Sequence, residues 1–220
     1  MIKDKGFKVS TTGRKYLYEH CLKVNAEGKT LLDIGCNTGN LIKSFPDDLN
    51  CTYTGVDVQE EFIQELKELY PSQNFIHLNA YHPSYNSEGN KNINFTHIGA
   101  KYDIIFAHNI FTHCSYEYIL KSITELKTLL NDGGQLIFNL YSKEKITNDF
   151  KNIFNITDTI QDFNNYMYYI NGETFIYDTV LDGNTEGQLS FFDIDWIKSE
   201  NSDWTLRDSY QNKDHTFTIS

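Results

Sequence analysis

Arginine, proline and cysteine are scarce in this sequence, and each scarcity excludes something. Arg14 and Arg207 are the only arginines in 220 residues, and 19 basic residues face 30 acidic ones, for a net charge of −11. Nucleic-acid phosphates are held by clustered Lys and Arg, and no basic run occurs, so no nucleic-acid partner is expected. The four cysteines, Cys21, Cys36, Cys51 and Cys114, form no CxxC pair and no metal-ligand spacing, so no metal site is expected. They read as reduced, mostly buried thiols of a cytoplasmic protein. Long apolar runs are missing too: nothing approaches the ~20 residues of a membrane helix, and "MIKDKGFKVSTTGRKYLYEH" contains no apolar signal core. No membrane partner is expected. What is present is a 40% hydrophobic content with 15% aromatics, enough for one real core. With no linker, repeat or low-complexity tract, residues 1–220 read as a single domain.

Along the chain, "TTGRKYLYEHCLKV" has helical spacing after a Thr11 or Thr12 cap, and "KTLLDIG" suits a short buried strand. "NLIKSF" predicts a helix stopped near Pro46. "YTGVDV" (53–58) predicts a second strand, and "QEEFIQELKELY" (59–70) a helix with Phe62, Leu66 and Leu69 on one face, ended by Pro71. "NFIHLNA" (74–80) is a third strand, 81–100 a long polar loop, 101–109 a fourth strand, 115–131 a helix and 133–142 a fifth strand. Strand and helix alternate, which predicts an α/β fold with a parallel sheet and helices on both faces. The last third differs. Two aromatic, β-rich runs flank Asn171-Gly172, a hairpin signal; 190–200 predicts a helix capped by Ser190; and 204–220 predicts two closing strands joined near Gln211–Asp214.

In an open parallel sheet a ligand sits beyond the carboxyl ends of the strands, near the reversal of strand order. Strand one delivers Asp33 and the turn Gly35–Gly39. Strand two ends in Asp57, an acid able to accept both hydroxyls of a ribose; strand three ends in Asn79-Ala80, able to meet an adenine edge; strand four ends in Ala107-His108-Asn109. Each piece alone has a plain structural alternative. The glycines suit any tight turn, Asp57 suits a helix N-cap, and Asn79 suits a turn. Their succession at consecutive strand ends favours a cofactor site. Asn37 stands where a middle glycine is usual, and asparagine is among the residues that best tolerate left-handed backbone.

Taken together, these pieces resemble a class I S-adenosylmethionine (SAM)-dependent methyltransferase. "LLDIGCNTGN" is similar to the first motif of that family, "GVDV" to its ribose acid, "LNAY" to its adenine motif and "LLNDGGQLIFNLY" to its helix-to-strand-five motif, over about residues 16–142. The resemblance implies a Rossmann-like, doubly wound, mostly parallel seven-stranded sheet with an antiparallel C-terminal strand and an inserted β-hairpin. It implies SAM as cofactor and S-adenosylhomocysteine as product. Asp33 and the backbone at Gly35 and Gly39 would hold the methionine end, Asp57 the ribose, Val58 and Asn79-Ala80 the adenine, with Cys36, Asn37, Ala107 and His108 completing the cofactor site. A dinucleotide-binding dehydrogenase would want Gly-x-Gly-x-x-Gly, but positions 35, 37 and 40 read Gly, Asn and Asn.

The acceptor side should lie beyond strand four. His108, His113 and Asn109 are the catalytic candidates there, since histidine titrates near neutrality and suits a general base. For His113 a cap of the following helix is the alternative. Arg14, Tyr16, Tyr81, Thr112, Tyr116, Tyr168 and Arg207 are candidates for binding the acceptor, the arginines because a guanidinium pairs bidentately with phosphate or carboxylate, with surface ion pairs as their alternative. "YHPSYNSEGN", "IIFAHNIFTH" and "DWTLRDSYQN" are further similar to a branch of bacterial methyltransferases found with capsule and surface-polysaccharide genes. That likeness implies a small-molecule acceptor, a sugar or phosphate-bearing oxygen. An amine or protein side chain, or a SAM-binding protein without catalysis, stays open beside it. The hairpin over 166–180 suits a cover for the acceptor pocket, an edge extension or a homodimer surface.

Overall fold

The computed structural model describes residues 22, 24–82, 85–91, 94–114, 116–142, 167–170, 174–181, 185–209 and 214–219. The expected first helix, with Arg14 and Tyr16, lies outside them except for the buried Leu22, as does the Asn171-Gly172 turn. The chain divides into two compact units, Met1–His108 with Thr124–Ile137, and Asn109–Ile123 with Phe138–Ser220.

The first unit is built on parallel strands β1 (Thr30–Ile34), β2 (Thr52–Asp57), β3 (Asn74–His77) and β4 (Tyr102–Ala107), in the order β3-β2-β1-β4, followed by the first part of β5 (Leu130–Ser142). The register sets Asp33 opposite Gly55 of β2 and Phe106 of β4, and Asp57 opposite His77 of β3. Strand order reverses between β1 and β4, so the loops after these two strands border the reversal point. Short apolar runs become these strands because both faces are covered: Leu31, Leu32 and Ile105 are fully buried. One face carries the cluster of Leu31, Tyr53, Phe75, Ile104, Phe106 and Ile137, against which Ile63 and Leu66 of helix α1 (Glu60–Leu69) pack. The buried stripe is therefore Ile63 and Leu66. Leu69, expected on it, is 56% exposed, one step past the last turn that reaches the sheet.

The helix expected over "NLIKSF" shortens to a single 3-10 turn, Ile42–Ser44, with Pro46 too close for a second turn. Helix α2 (Tyr116–Lys127) ends earlier than expected and β5 begins earlier, at Leu130. At the amino ends of β1 and β4, Asp103 accepts from the Thr30 amide and hydroxyl and from Asn131, and these bonds hold its carboxyl below the usual range.

In the second unit the rest of β5 is joined by β6 (Met167–Ile170), β7 (Thr174–Leu181) and β8 (Thr185–Phe192). β7 runs antiparallel to both neighbours, and β8 pairs parallel with β5 at Tyr141 and Ser142. The expected hairpin is thus the first part of a three-stranded meander. Ser190, expected as a helix cap, lies in β8; helix α3 (Ile194–Glu200) starts later, where Asp193 accepts from the Asp195 amide. β9 (Thr205–Ser209) and β10 (Asp214–Ile219) close the chain as an antiparallel pair, with β10 beside β5. Strands β1–β5, β10 and β9 make the expected seven-stranded, mostly parallel sheet. Phe111, Phe138, Trp204 and Phe217 form an aromatic core here, with ring centroids 5.1–5.9 Å apart in successive pairs.

Candidate functional site

The turn after β1 is defined by three left-handed residues at alternate positions: Gly35 at φ 69°, Asn37 at φ 51° and Gly39 at φ 84°. Asn37 thus adopts the conformation expected of it, and its side chain is accounted for, since Oδ1 accepts from the Thr38 amide at 2.6 Å. The glycine at 39 has a packing reason as well as a conformational one. A Cβ there would lie 2.7 Å from Leu66 Cδ2, so α1 can approach the turn only across a bare backbone. Alternating backbone of this kind can cradle an anion with its amides, but here the amides are already engaged. Gly35 and Cys36 both donate to the Val56 carbonyl, at 2.8 and 3.0 Å, and Asn37 donates to Asp57 Oδ2 at 2.8 Å.

Asp57 is buried, and its other oxygen accepts from the Gln59 amide at 2.9 Å. The residue therefore links the turn after β1 to the start of α1, combining the ribose-acid position with an N-terminal anchoring role. Burial raises its pKa, and the amides of Gln59, Asn37 and Val58 oppose that rise. Asp33 is also buried, and Tyr53 donates its hydroxyl to Asp33 Oδ2 at 2.6 Å. Burial pushes Asp33 up to about 7, against the Tyr53 bond and with help from Asp57. Cys36 fills the hollow left by Gly55, where a Cβ would lie 3.0 Å from its sulfur. Residues two apart on a strand share a face, so Asp33, Asp57 and His108 extend one face beyond Leu31, Tyr53 and Phe106. The His108 ring lies parallel to Phe106 with centroids 5.7 Å apart. Ala107 is fully buried beneath the turn that begins there.

After β2, Val58 is half-buried and its carbonyl lies 3.1 Å from Nε2 of His77, the last residue of β3. Asn79 is exposed and Ala80 half-buried. The loop beyond them folds back on this strand end: the Asn90 amide donates to the Asn79 carbonyl, and Asn86 Nδ2 donates to both Asn79 Oδ1 and the Ala80 carbonyl. The Ala80 amide is itself committed to Leu78 O at 2.6 Å. Tyr81 is exposed, with Lys91 Nζ 4.6 Å from its ring centre.

Of the acceptor-side candidates in the second unit, Asn109 is held at φ 57° by a reciprocal amide pair: its amide donates to Asn139 Oδ1 at 2.7 Å, and Asn139 Nδ2 donates to Asn109 Oδ1 at 2.9 Å. Its side-chain oxygen, the atom the catalytic expectation turns on, accepts this one bond. Thr112 is 0% exposed, and its hydroxyl has no partner among the described residues. Tyr116 is half-buried and its hydroxyl accepts from Asn201 Nδ2 at 2.8 Å, which ties it to the end of α3. His113 lies in a 3-10 turn, Tyr168 in β6 and Arg207 in β9, their side chains outside those described. Among the described residues no three of His, Cys, Asp and Glu come together, and no helix is long and apolar enough to cross a membrane. Tyr53, Asn86, Asn139 and Asn201 were not legible as site-supporting residues. Each acts on a partner 7 to 85 positions away, and a polar residue in a strand or loop carries no periodic signal of that.

Residues 32–136 match a protein family described as a methyltransferase domain. This stretch is similar to a methyltransferase domain. It contains the turn 35–39, Asp57, Asn79 and His108. The domain's setting is familiar too. A SAM-dependent methyltransferase from Clostridium acetobutylicum superposes with a TM-score of 0.54 at 17% identity, covering 94% of this chain and 89% of that one. The PH0226 protein from Pyrococcus horikoshii gives 0.62 at 12% identity over 100% and 96% of the two chains. DhpI, in a complex with S-adenosylhomocysteine, gives 0.56 at 12% identity over 95% and 84%. The likeness to these structures is one of fold.

Proposed function

We propose that this chain is a SAM-dependent methyltransferase that methylates an oxygen of a small polar acceptor, a sugar or phosphate-bearing precursor of capsule or surface polysaccharide. The observation that carries the cofactor reading is the turn 35–39 bonded to Asp57. It presents two buried carboxylates and no free amide cradle, which fits a ligand with a cationic amino-acid end and a ribose diol and disfavours a pyrophosphate. Asp33 faces the amino-acid end, Asp57 the ribose, and Asn79 the base. Bound SAM supplies a methyl group on a sulfonium, open to in-line displacement.

The chain's own residues position the acceptor and take its proton. His108, held flat on Phe106 directly after β4, is a proton acceptor for an attacking hydroxyl, with His113 as the second candidate. Asn139 fixes the turn that follows His108. The sequence likeness to the capsule-associated branch supports the oxygen acceptor. The test is transfer of labelled methyl from SAM into an extract of nucleotide sugars and capsule precursors. Incorporation into a small polar fraction is expected; SAM binding with no incorporation would sink the enzyme reading. His108→Ala and His113→Ala are expected to keep S-adenosylhomocysteine binding, and at least one to lower turnover about a hundredfold.

A further inference from the structure

We propose that Asn86 sets the base specificity of the cofactor site, by locking the Asn79 amide in the one orientation that matches adenine. The inference rests on the SAM reading above and deepens it. Asn86 Nδ2 lies 2.9 Å from the Ala80 carbonyl and 3.0 Å from the side-chain oxygen of Asn79. A backbone carbonyl can only accept, so the Asn86 atom beside it must be the amide nitrogen. That nitrogen carries two hydrogens and no acceptor capacity, so the Asn79 atom it meets must be Oδ1. One unambiguous backbone oxygen therefore fixes the orientation of both amides.

The backbone leaves this choice to decide what the base meets. The Ala80 amide is bonded to Leu78 O, the Tyr81 amide to Asn90 O at 3.2 Å, and the Asn79 carbonyl to the Asn90 amide at 2.8 Å. The open polar atoms of the Asn79 side chain, on an exposed residue, are the second lone pair of Oδ1 and the hydrogens of Nδ2. An acceptor beside a donor complements adenine, which offers an amino donor beside a ring-nitrogen acceptor. Hypoxanthine inverts that pattern, with a carbonyl beside an N–H. An unrestrained asparagine would turn over and serve either base; a locked one serves adenine.

The loop is built to carry the lock. Asn86 exchanges two backbone hydrogen bonds with His82, at 2.9 and 3.0 Å. Gly89 sits so close to the strand end that a Cβ would collide with the Ala80 carbonyl oxygen. Only glycine lets the loop come down far enough for Asn86 to reach both oxygens.

The test compares binding of S-adenosylhomocysteine and its deaminated analogue S-inosylhomocysteine to the full chain by calorimetry. The wild-type protein is expected to prefer the adenosyl compound by about tenfold or more. Asn86→Ala is expected to keep adenosyl binding while the preference collapses to within about threefold, and Gly89→Ala, which lifts the loop by a different route, to do the same. Asn79→Ala should weaken the adenosyl compound and abolish the preference. Melting curves taken alongside identify any variant that has lost its fold. An undiminished preference in folded Asn86→Ala and Gly89→Ala overturns the proposal and leaves the cofactor reading standing. Failure of the wild-type protein to bind S-adenosylhomocysteine overturns the cofactor reading itself.

Discussion

Asp33 holds its proton to about 7, where an ordinary aspartate releases it near 3.8. Between those values the unfolded chain has lost the proton and the native chain keeps it, so the ligand-free protein loses stability as pH rises across that window. A cationic ligand favours the carboxylate and reverses the preference. Affinity for S-adenosylhomocysteine should therefore climb as pH rises to about 7 and then level off, with a proton released on binding at lower pH. Calorimetry at pH 6 in buffers of different ionisation heat measures that proton. Tyr53→Phe removes the bond that lowers the Asp33 pKa, so the levelling point should move to higher pH. Asp57 has a different part. Its two oxygens hold the amides of Asn37 and Gln59, so Asp57→Ala removes the anchor of the turn and, on the proposed reading, the ribose acceptor. Loss of roughly a hundredfold or more in S-adenosylhomocysteine affinity is expected, since hydrogen bonds to a charged group contribute about 1.5–3 kcal/mol each. Unchanged affinity would show that the cofactor lies elsewhere. Asp57 and Asn37 were legible in the sequence because strand-end position and left-handed tolerance are local properties. The partner of Asp33 was not, since Tyr53 reaches it from the neighbouring strand, 20 positions away.

At the scale of elements, the turn 35–39 and the turn at Asn109 each carry strain that a neighbour restrains. Gly39→Ala would bring a Cβ against Leu66 at φ 84°. It should lower unfolding stability by about 1–3 kcal/mol, read from denaturant midpoints, and loosen α1 against the turn. Asn139→Ala leaves the Asn109 amide and side-chain oxygen without their buried partner. Because Asn109 follows His108 directly, turnover should fall at least tenfold while S-adenosylhomocysteine affinity stays within about twofold, a split that a general loss of fold would not produce. The parallel strands were readable from their apolar runs and bounding glycines. "NLIKSF" misled because helical composition cannot extend a turn that Pro46 cuts short, and β8 escaped notice because "TEGQLSFF" alternates too weakly to mark a strand before its partner β7 is known.

For the molecule as a whole, the charge of −11 sets the company it can keep. With 19 basic residues against 30 acidic ones and no basic run in the sequence, long phosphate polymers are expected to be repelled. In the labelled-methyl experiment, DNA and RNA from the same extract should remain unlabelled at low salt, where any electrostatic attraction would be strongest. Labelled RNA would move the acceptor class from small molecules to nucleic acid. The fold class was available from strand and helix alternation, a property of the whole chain. The surroundings of the residues after β4 were not: Thr112 and Tyr116 read as acceptor-binding candidates, and in the second unit Thr112 is buried and Asn201 donates to the Tyr116 hydroxyl.

Cys36, seated over Gly55, gives the turn a built-in gauge. Its thiol is buried, and burial with the two nearby aspartates pushes its pKa far above the usual thiol range. Alkylation requires an exposed thiolate, so iodoacetamide can reach this sulfur only in molecules whose turn has swung away from β2. The alkylation rate, followed by peptide mass, then meters how often the turn breathes open. A ligand gripping residues 33–39 should slow that rate in proportion to its occupancy. Ligand binding could thus be followed through a native atom, with no label added to the protein.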